Sequence, residues 1–390
     1  MHPNAYWLWL QHGIGPGSSK LHRILDHFGD AQEFYQAGLQ GWKMLGCFTQ
    51  RELQTLSAYS LEEAQAALEY CWNVGQQVIT LGDEEFPFLL RQIYPMPCAL
   101  YVLGNLPDFD TFPAIAVVGT RDATESGKEI AFELSYGLAQ AGVTIVSGGA
   151  LGIDSAAHKG ALRAHGKTIC VLGCGIGYGY LNENAPLREA IAKSGALISE
   201  FPVNTPPSRT TFPVRNRLIS GLCQGTLVVE AASKSGSLIT AKAAMEQNRD
   251  VFAVPNGLHN PVSQGANRLI QTGAKMVTCV EDMLEEYRMQ FPALGKPICR
   301  SVPPTVRSIR REHPTKENPA IPERARVPNP AFSADAKLLL QYLEHAPKTL
   351  AELEVQTGLS SARILAAVTE LELCCYAVSY SGRRYGVPKN

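Results

Sequence analysis

The sequence predicts an α/β protein whose centre is a doubly wound parallel sheet. The first observation is a set of six short runs rich in β-branched and other apolar residues, and the second is that helical patterns fill nearly every gap between them. Strands that are apolar throughout and separated by helices are typical of a parallel sheet covered on both faces. We therefore expect a Rossmann-like domain over residues 76–290. Its predicted strands are 115–119, 143–147, 168–172, 196–199, 226–230 and 251–255.

The length of 390 residues predicts two or three domains, and 45% hydrophobic with 18% charged residues is ordinary for a globular protein. No apolar run approaches the ~20 residues that span a bilayer, so no membrane insertion is expected. The start of the chain lacks the pattern of a secretory signal, and ten cysteines are scattered without zinc spacing. These features predict a cytoplasmic protein with reduced thiols.

Residues 1–75 are predicted to form a helical domain, with apolar residues at helical spacing after the turn Gly13-Ile-Gly-Pro-Gly17. A glycine-rich turn between helices presents backbone N–H groups to a phosphate in helix-hairpin-helix modules. The alternative is that the turn is only a turn. The nearby aromatic residues favour that alternative because they are typical of a core: Tyr6, Trp7 and Trp9.

Residues 291–330 are predicted to be a flexible linker, since 292–330 holds nine prolines, eight Lys or Arg and three acidic residues. After it, 331–390 reads as three helices and a hairpin, the pattern of a winged helix. The third helix is the one that would contact DNA bases in a winged helix. It carries one cation, Arg363, and two glutamates, so its charge favours a domain that contacts protein over one that binds DNA. The predicted helices are 334–344, 349–358 and 360–372, and the hairpin turn is 381–384.

The ligand crevice of a doubly wound sheet lies beyond the carboxyl ends of its strands. After the first strand, Gly119 allows a close turn and Arg121 supplies a bidentate clamp for phosphate, or alternatively pairs with a neighbouring acid. After the second strand, the turn that begins at Ser147 and Gly148 offers N–H groups to an anion. Its spacing is not GxGxxG and it lacks a Walker lysine, so no dinucleotide, ATP or other cofactor is predicted.

Two further loops place cations at helix starts. One holds Arg209 and Phe212 and the other holds Lys234. An aromatic ring beside arginines suits a polyanion with exposed bases, although the net charge of −1 requires a local patch. Arg215, Asn216 and Arg217 either join this patch or hold the loop in shape. The predicted nucleic-acid contacts are Gly119, Arg121, Ser147, Gly148, Arg209, Phe212, Arg215, Asn216, Arg217, Lys234, Ser235 and Gly236.

Asp154 and His158 lie four residues apart and form either an acid–base pair or two structural residues at a helix start. No serine or cysteine lies in a nucleophile elbow, and no carboxylate cluster suggests a metal. We therefore predict a protein that is not an enzyme and has no catalytic or metal-binding residues.

Four runs carry a resemblance to a known family: Ser147-Gly-Gly-Ala-Leu-Gly-Ile-Asp-Ser-Ala-Ala-His158, Phe212-Pro-Val-Arg-Asn-Arg-Leu-Ile-Ser-Gly221, Ser235-Gly-Ser-Leu-Ile-Thr-Ala241 and Val251-Phe-Ala-Val-Pro255. They resemble the DNA-processing protein A (DprA/Smf) family over nearly all of the central domain. The resemblance implies a homodimer that binds and protects single-stranded DNA and loads the RecA recombinase during natural transformation. It also implies that strand contacts come from Arg121, Arg209, Phe212 and Lys234.

The sequence departs from the family pattern twice. Tyr180-Leu-Asn-Glu-Asn184 replaces a Tyr-Pro before the asparagine, and Val254-Pro-Asn256 replaces Val-Pro-Gly. Asparagine tolerates the left-handed conformation of glycine, so the first departure is the one that puts a functional role of the loop 173–184 in doubt. Two other functions stay open: a nucleoside monophosphate hydrolase, whose Pro-Gly-Gly-x-Gly-Thr loop is absent, and a winged-helix transcription regulator.

Overall fold

The computed structural model describes residues 1–257, 259–295, 332–343, 348–373, 376–380 and 384–387. The chain divides into two compact units, Met1–Val302 and Pro303–Asn390. The predicted linker beyond residue 295 and the predicted hairpin turn at 381–383 lie outside the described residues. None of the helices described is long and apolar enough to cross a membrane.

The first unit contains a nine-stranded sheet in the order β1-β2-β6-β5-β4-β3-β7-β8-β9. The six predicted strands are β3 to β8, each within two residues of its expected bounds. These six strands run parallel to one another, as expected. The sheet extends beyond them at one edge, where β2, which was not predicted, pairs antiparallel with both β1 and β6. The strands are β1 Gln77–Thr80, β2 Ala99–Gly104, β3 Ala114–Val118, β4 Thr144–Ser147, β5 Thr168–Leu172, β6 Ala196–Ser199, β7 Gly225–Val228, β8 Asp250–Ala253 and β9 Lys275–Met276.

Helices cover both faces of this sheet, and the side chains of β3 show how. Ala116 and Val118 face one core, which continues into the N-terminal helices, while Ile115 and Val117 face the other. This alternation follows from the two-residue period of a strand and leaves β3 buried on both sides. The helices of this region are α6 Phe88–Arg91, α7 Glu125–Gln140, α8 Ile153–Arg163, α9 Ala185–Ser194, α10 Thr211–Gly221, α11 Ser237–Glu246, α12 Gln264–Gln271 and α13 Glu281–Tyr287.

The N-terminal segment folds as helices around an aromatic core. Trp9 is fully buried, lies 5.3 Å from the Trp42 ring and donates its indole N–H to the backbone oxygens of Leu56 and Tyr59. The interpretation of the tryptophans as core residues is therefore confirmed. These helices are α1 Pro3–Ile14, α2 Leu21–Phe28, α3 Ala31–Met44, α4 Gln50–Ala58 and α5 Leu61–Asn73.

The glycine-rich turn after α1 docks onto the sheet through a buried ion pair. Arg217 of α10 donates through Nη2 to both carboxylate oxygens of Glu200, at 2.7 and 2.6 Å. The Gly17 N–H donates to the same carboxylate at 3.0 Å, and the Gly15 N–H donates to the Gln11 carbonyl. The amides of Gly15 and Gly17 are thus bonded within the protein. Their arrangement supports the interpretation as a structural turn rather than a phosphate site.

The described residues of the second unit form three helices and a small antiparallel sheet in the order β10-β12-β11. Thr349 caps α15 as expected, with a reciprocal bond to Glu352. Arg363, the cation of the third helix, forms an ion pair with Asp335 at 2.6 Å. The elements are α14 Ala334–Leu343, β10 Lys348–Thr349, α15 Leu350–Thr357, α16 Ser361–Leu373, β11 Val378–Tyr380 and β12 Arg384–Gly386.

His158 of α8 belongs to the core of the first unit. Its Nδ1 lies 2.8 Å from Thr168 Oγ1, and that hydroxyl donates to the Ile145 carbonyl, so Nδ1 must carry the proton and donate. The ring is fully buried, and burial lowers the pKa of His158 to about 3. The His158 ring is thus neutral in the folded protein.

This histidine makes stability dependent on pH. Its pKa is depressed on folding, so the stabilisation is complete above pH ~6.5 and is lost as the pH falls toward about 3. We expect His158→Asn to flatten the fall of melting temperature between pH 7 and 4, compared with the original chain. Equal slopes in the two proteins would contradict a buried neutral His158.

The Glu200–Arg217 pair gives a second stability prediction. Glu200→Ala should lower the free energy of unfolding in urea by about 3–5 kcal/mol, because it leaves a buried guanidinium without its counter-charge. Adding Arg217→Met should recover part of that loss. Glu189→Ala is a matched control that breaks an exposed pair with Lys193 and should cost less than ~1 kcal/mol. A double variant as unstable as the summed single changes would contradict the coupling.

Candidate nucleic-acid interface

The site predicted from the sequence lies where the strand order of the sheet reverses. β3 has β4 on one side and β7 on the other, so the loops that follow β3 and β7 run to opposite faces of the sheet. Such a switch point is the usual ligand crevice of an open α/β sheet. Here it holds a cavity of about 510 Å³ whose wall includes the predicted residues Gly119, Arg121, Arg209, Phe212, Arg215, Asn216, Ser235 and Gly236.

The loop that carries Arg121 is fixed at both ends by Glu230, which follows β7. The Thr120 N–H donates to the Glu230 carbonyl at 2.8 Å. The Glu230 carboxylate accepts the Thr124 N–H at 2.9 Å and the Thr124 hydroxyl at 2.6 Å, at the N-terminus of α7. The Arg121 side chain itself is exposed. A rigid loop therefore presents a cation that remains free to reach a ligand.

Phe212 lies at the start of α10, and its ring is half-buried. The guanidinium carbon of Arg121 lies 5.4 Å from the ring centroid, within the range of a cation–π contact. Tyr180 packs beside the ring at 5.8 Å, tilted by 48°. The aromatic side chain is thus packed beside Tyr180, and the guanidinium groups of Arg121 and, at 5.9 Å, Arg215 lie over its ring.

Arg209 is exposed on a short turn that leads into α10. Ser208 and Thr211 bond reciprocally around it: the Ser208 N–H donates to Thr211 Oγ1 at 3.0 Å, and the Thr211 N–H donates to Ser208 Oγ at 3.2 Å. Hydroxyl side chains commonly satisfy the free N–H groups at a helix start in this way. The turn holds the Arg209 backbone and leaves its side chain at the rim of the cavity.

Arg215 forms the floor of the cavity and is 6% exposed. Its Nη1 donates to the carbonyls of Gly148 and Val171 at 2.7 and 2.5 Å, and its Nε donates to Asn216 Oδ1 at 3.1 Å. Burial lowers the pKa of the guanidinium, and the charge of Asp154 opposes that shift. The predicted alternative, that this residue holds the loop in shape, is the one that these bonds support.

Asp154 lies against the same glycine turn and is 8% exposed. Burial raises the pKa of its carboxyl, while the Arg215 guanidinium and the Ala150 N–H oppose the shift. A Cβ built on Gly148 would lie 2.4 Å from Arg215 Nη1 and 2.8 Å from Asp154 Oδ2, so only glycine fits between them. His158 bonds to Thr168 instead of Asp154, and the acid–base pair considered from the sequence is not formed.

Four of the predicted contacts lie outside the cavity wall. Arg217 is buried against Glu200, and Ser147 is buried with its hydroxyl bonded to the Val117 carbonyl at 2.7 Å. Gly148 contributes its carbonyl to Arg215. Arg217 and Ser147 are therefore buried rather than accessible as expected, because their side chains bond within the core. Gly148 is also buried, and the bond described involves its carbonyl rather than its N–H group. Lys234 is exposed beside the α11 end of the cavity without forming its wall.

Two supporting residues were not among the predicted contacts. Asn184 is 7% exposed and donates to the Gly149 carbonyl at 3.1 Å and to Ser155 Oγ at 3.0 Å, which fixes the glycine turn. Tyr180 supports Phe212. Both belong to the segment Tyr180-Leu-Asn-Glu-Asn184, and the aromatic ring and side-chain amide of this segment are the sequence features that could have identified them. Across the part of the chain that the structure describes, no group of three or more His, Cys, Asp or Glu could hold a metal ion.

Sequence comparison gives the family of the chain. The family model described as DNA recombination-mediator protein A matches residues 77–288. Protein Smf from Synechocystis sp. is 34% identical, with 98% of each chain covered. DNA processing protein DprA from Bacillus subtilis is 42% identical over 54% of this chain and 71% of its own.

Solved structures agree with the sequence relatives. DNA processing protein A from Streptococcus pneumoniae has a TM-score of 0.65 at 33% identity, covering 73% of this chain and 99% of its own. The structure from Helicobacter pylori, described as showing a unique single-stranded DNA binding mode of DNA processing protein A, has a TM-score of 0.50 at 31% identity. It covers 55% of this chain and 96% of its own. The chain therefore belongs to the DNA recombination-mediator protein A (DprA/Smf) family.

Proposed function

We propose that this protein binds single-stranded DNA in the cavity beside β3 and β7 and acts as a recombination mediator. It would protect incoming strands and load RecA during natural transformation, as a cytoplasmic homodimer without enzymatic activity. The observation that carries the proposal is the pair of exposed arginines, Arg121 and Arg209, that line the same cavity as the half-buried Phe212 ring. An arginine can bind any phosphate of the strand, and an aromatic ring can stack on any base.

The cover over Phe212 suggests how binding proceeds. In the structure the Arg121 guanidinium lies over the ring, 5.4 Å from its centroid. A phosphate at the cavity rim would attract Arg121 more strongly than the ring does, since charge-assisted bonds exceed an exposed cation–π contact. Movement of the guanidinium to the phosphate would uncover the ring for a base. Arg209 would take a neighbouring phosphate, and Lys234 would add charge nearby.

The buried residues of the site would act before any strand arrives. Arg215 keeps the glycine turn and the start of α10 in place, and its positive charge, which the neighbouring Asp154 partly offsets, lies at the cavity floor in a region of low dielectric. A charge in such a region contributes more potential at the cavity than one in water. This local field matters because the whole chain has a net charge of −1.

The flanking segments would supply protein contacts. We take 1–75 as a SAM- or helix-hairpin-helix-like domain, 76–290 as the DNA-binding domain, 291–330 as the linker and 331–390 as a winged helix. Support for the last comes from three helices and a three-stranded antiparallel sheet. Its Arg363 is paired with Asp335, so that helix offers little free charge to duplex DNA.

Gel-shift titration with oligo-dT tests the proposed function. Phe212→Ala should weaken binding by roughly one to two decades, because stacking contributes ~1–3 kcal/mol per base. Phe212→Tyr keeps the ring and should bind like the original chain. Arg121→Ala should weaken binding and reduce the salt slope by about 0.7, the value for one phosphate of a single strand. Duplex DNA that binds as tightly as oligo-dT, or a Phe212→Ala variant of unchanged affinity, would overturn the proposal.

A further inference from the structure

A second cavity of about 510 Å³ lies on the other side of Arg121 from the first. Arg121 lines both cavities, and the turn 150–152 separates them: Ala150 lines the first, while Leu151 and Gly152 line the second. Both volumes fall in the range of ordinary ligand pockets, roughly 300–1,000 Å³. The shared arginine makes the two cavities neighbouring parts of one groove.

We propose that the second cavity continues the DNA site and that Lys159 is a phosphate contact within it. A strand held in the first cavity would cross Arg121 and enter the space between α7 and α8. This inference rests on the proposed function, because it concerns the path of the same strand. It adds a binding residue on α8, the helix whose Asp154 lines the first cavity.

The charges in the second cavity single out Lys159. It is exposed on α8, and among the described residues it forms no ion pair with a carboxylate. The other lysine of the wall, Lys128, is held by Glu125 at 2.8 Å. Glu129 also lines the cavity and is exposed, so it would oppose a phosphate there. Lys159, unlike Lys128, could therefore contact a strand without first breaking an ion pair with a carboxylate.

The wall between the cations is apolar. Leu151 is 40% exposed at the tip of the turn. The half-buried Phe132 ring lies nearly parallel to the Tyr136 ring, with an angle of 11° and 6.4 Å between centroids. An apolar surface beside cations suits the base and sugar of a nucleotide whose phosphate the cations contact. Side chains of both kinds therefore line the second cavity, as they do the first.

The boundary between the cavities is rigid, which allows one strand to contact both. A Cβ built on Gly152 would lie 2.4 Å from the Thr120 carbonyl oxygen, and the Ile153 N–H donates to that same oxygen at 3.3 Å. Asn184 holds Gly149 from below. The loop of Arg121 and the start of α8 are thus packed together, so the distance from Arg121 to Lys159 is set by the fold.

The test compares two lengths of oligo-dT, because the two cavities would be filled in sequence. A strand of about four nucleotides should occupy the first cavity, whereas one of about twelve should reach the second. Lys159→Ala should weaken binding of the longer strand about fivefold and reduce its salt slope by about 0.7, with the shorter strand unaffected. Glu129→Gln should tighten binding of the longer strand alone.

Lys193→Ala is the matched control, since it removes an exposed lysine that lines neither cavity. Unchanged binding of both strands by Lys159→Ala, or equal weakening of both, would overturn the inference. The proposed function is tested separately by Arg121→Ala with Arg209→Ala: if that double variant binds both strands normally, the first cavity is not the DNA site and the inference fails with it. Melting curves of all variants confirm that they are folded.

Discussion

The structure of the site depends on the burial of one cation, the Arg215 guanidinium. A guanidinium taken out of water must be given hydrogen-bond acceptors and a counter-charge, or folding becomes unfavourable. Here the carbonyls of Gly148 and Val171 accept its protons, and Asp154 supplies a neighbouring negative charge. These partners come from the glycine turn, the end of β5 and the start of α8. Satisfying one charge therefore fixes the positions of several loops around the cavity.

Side chains of helix α10 contact three different parts of the structure. Arg215 and Arg217 are two residues apart, which places them roughly 200° apart around a helix, on nearly opposite sides. Arg215 points to the glycine turn, and Arg217 points to Glu200 and the Gly17 amide. Phe212, one turn earlier, lines the cavity. The N-terminal helices and the candidate DNA site thus contact the same helix.

The parts of this arrangement that follow from periodicity could be predicted. Apolar strands and intervening helices imply that loops after β3 and β7 meet, and this brings Arg121 together with Ser235 and Gly236. Phe212 reaches the same cavity from the start of α10, in the segment between β6 and β7. Periodicity also separates Arg215 from Arg217, but it does not say that both side chains are buried. That depends on Glu200 and the Gly148 carbonyl, which are distant in sequence. The antiparallel pair β1 and β2 was missed for a similar reason: the pairing of β2 with β6 is a choice of sheet edge, and local sequence does not encode it.

The claim that a base stacks on Phe212 is tested most directly by photo-crosslinking. An oligonucleotide containing bromouracil would be irradiated with the protein, and the modified residue identified by mass spectrometry. The account predicts an adduct on Phe212 or on the adjoining Tyr180. A third cavity of about 390 Å³, lined by Phe88, Phe109 and Phe291, offers the alternative aromatic surface. Adducts confined to those residues, with Phe212 unmodified, would contradict the account.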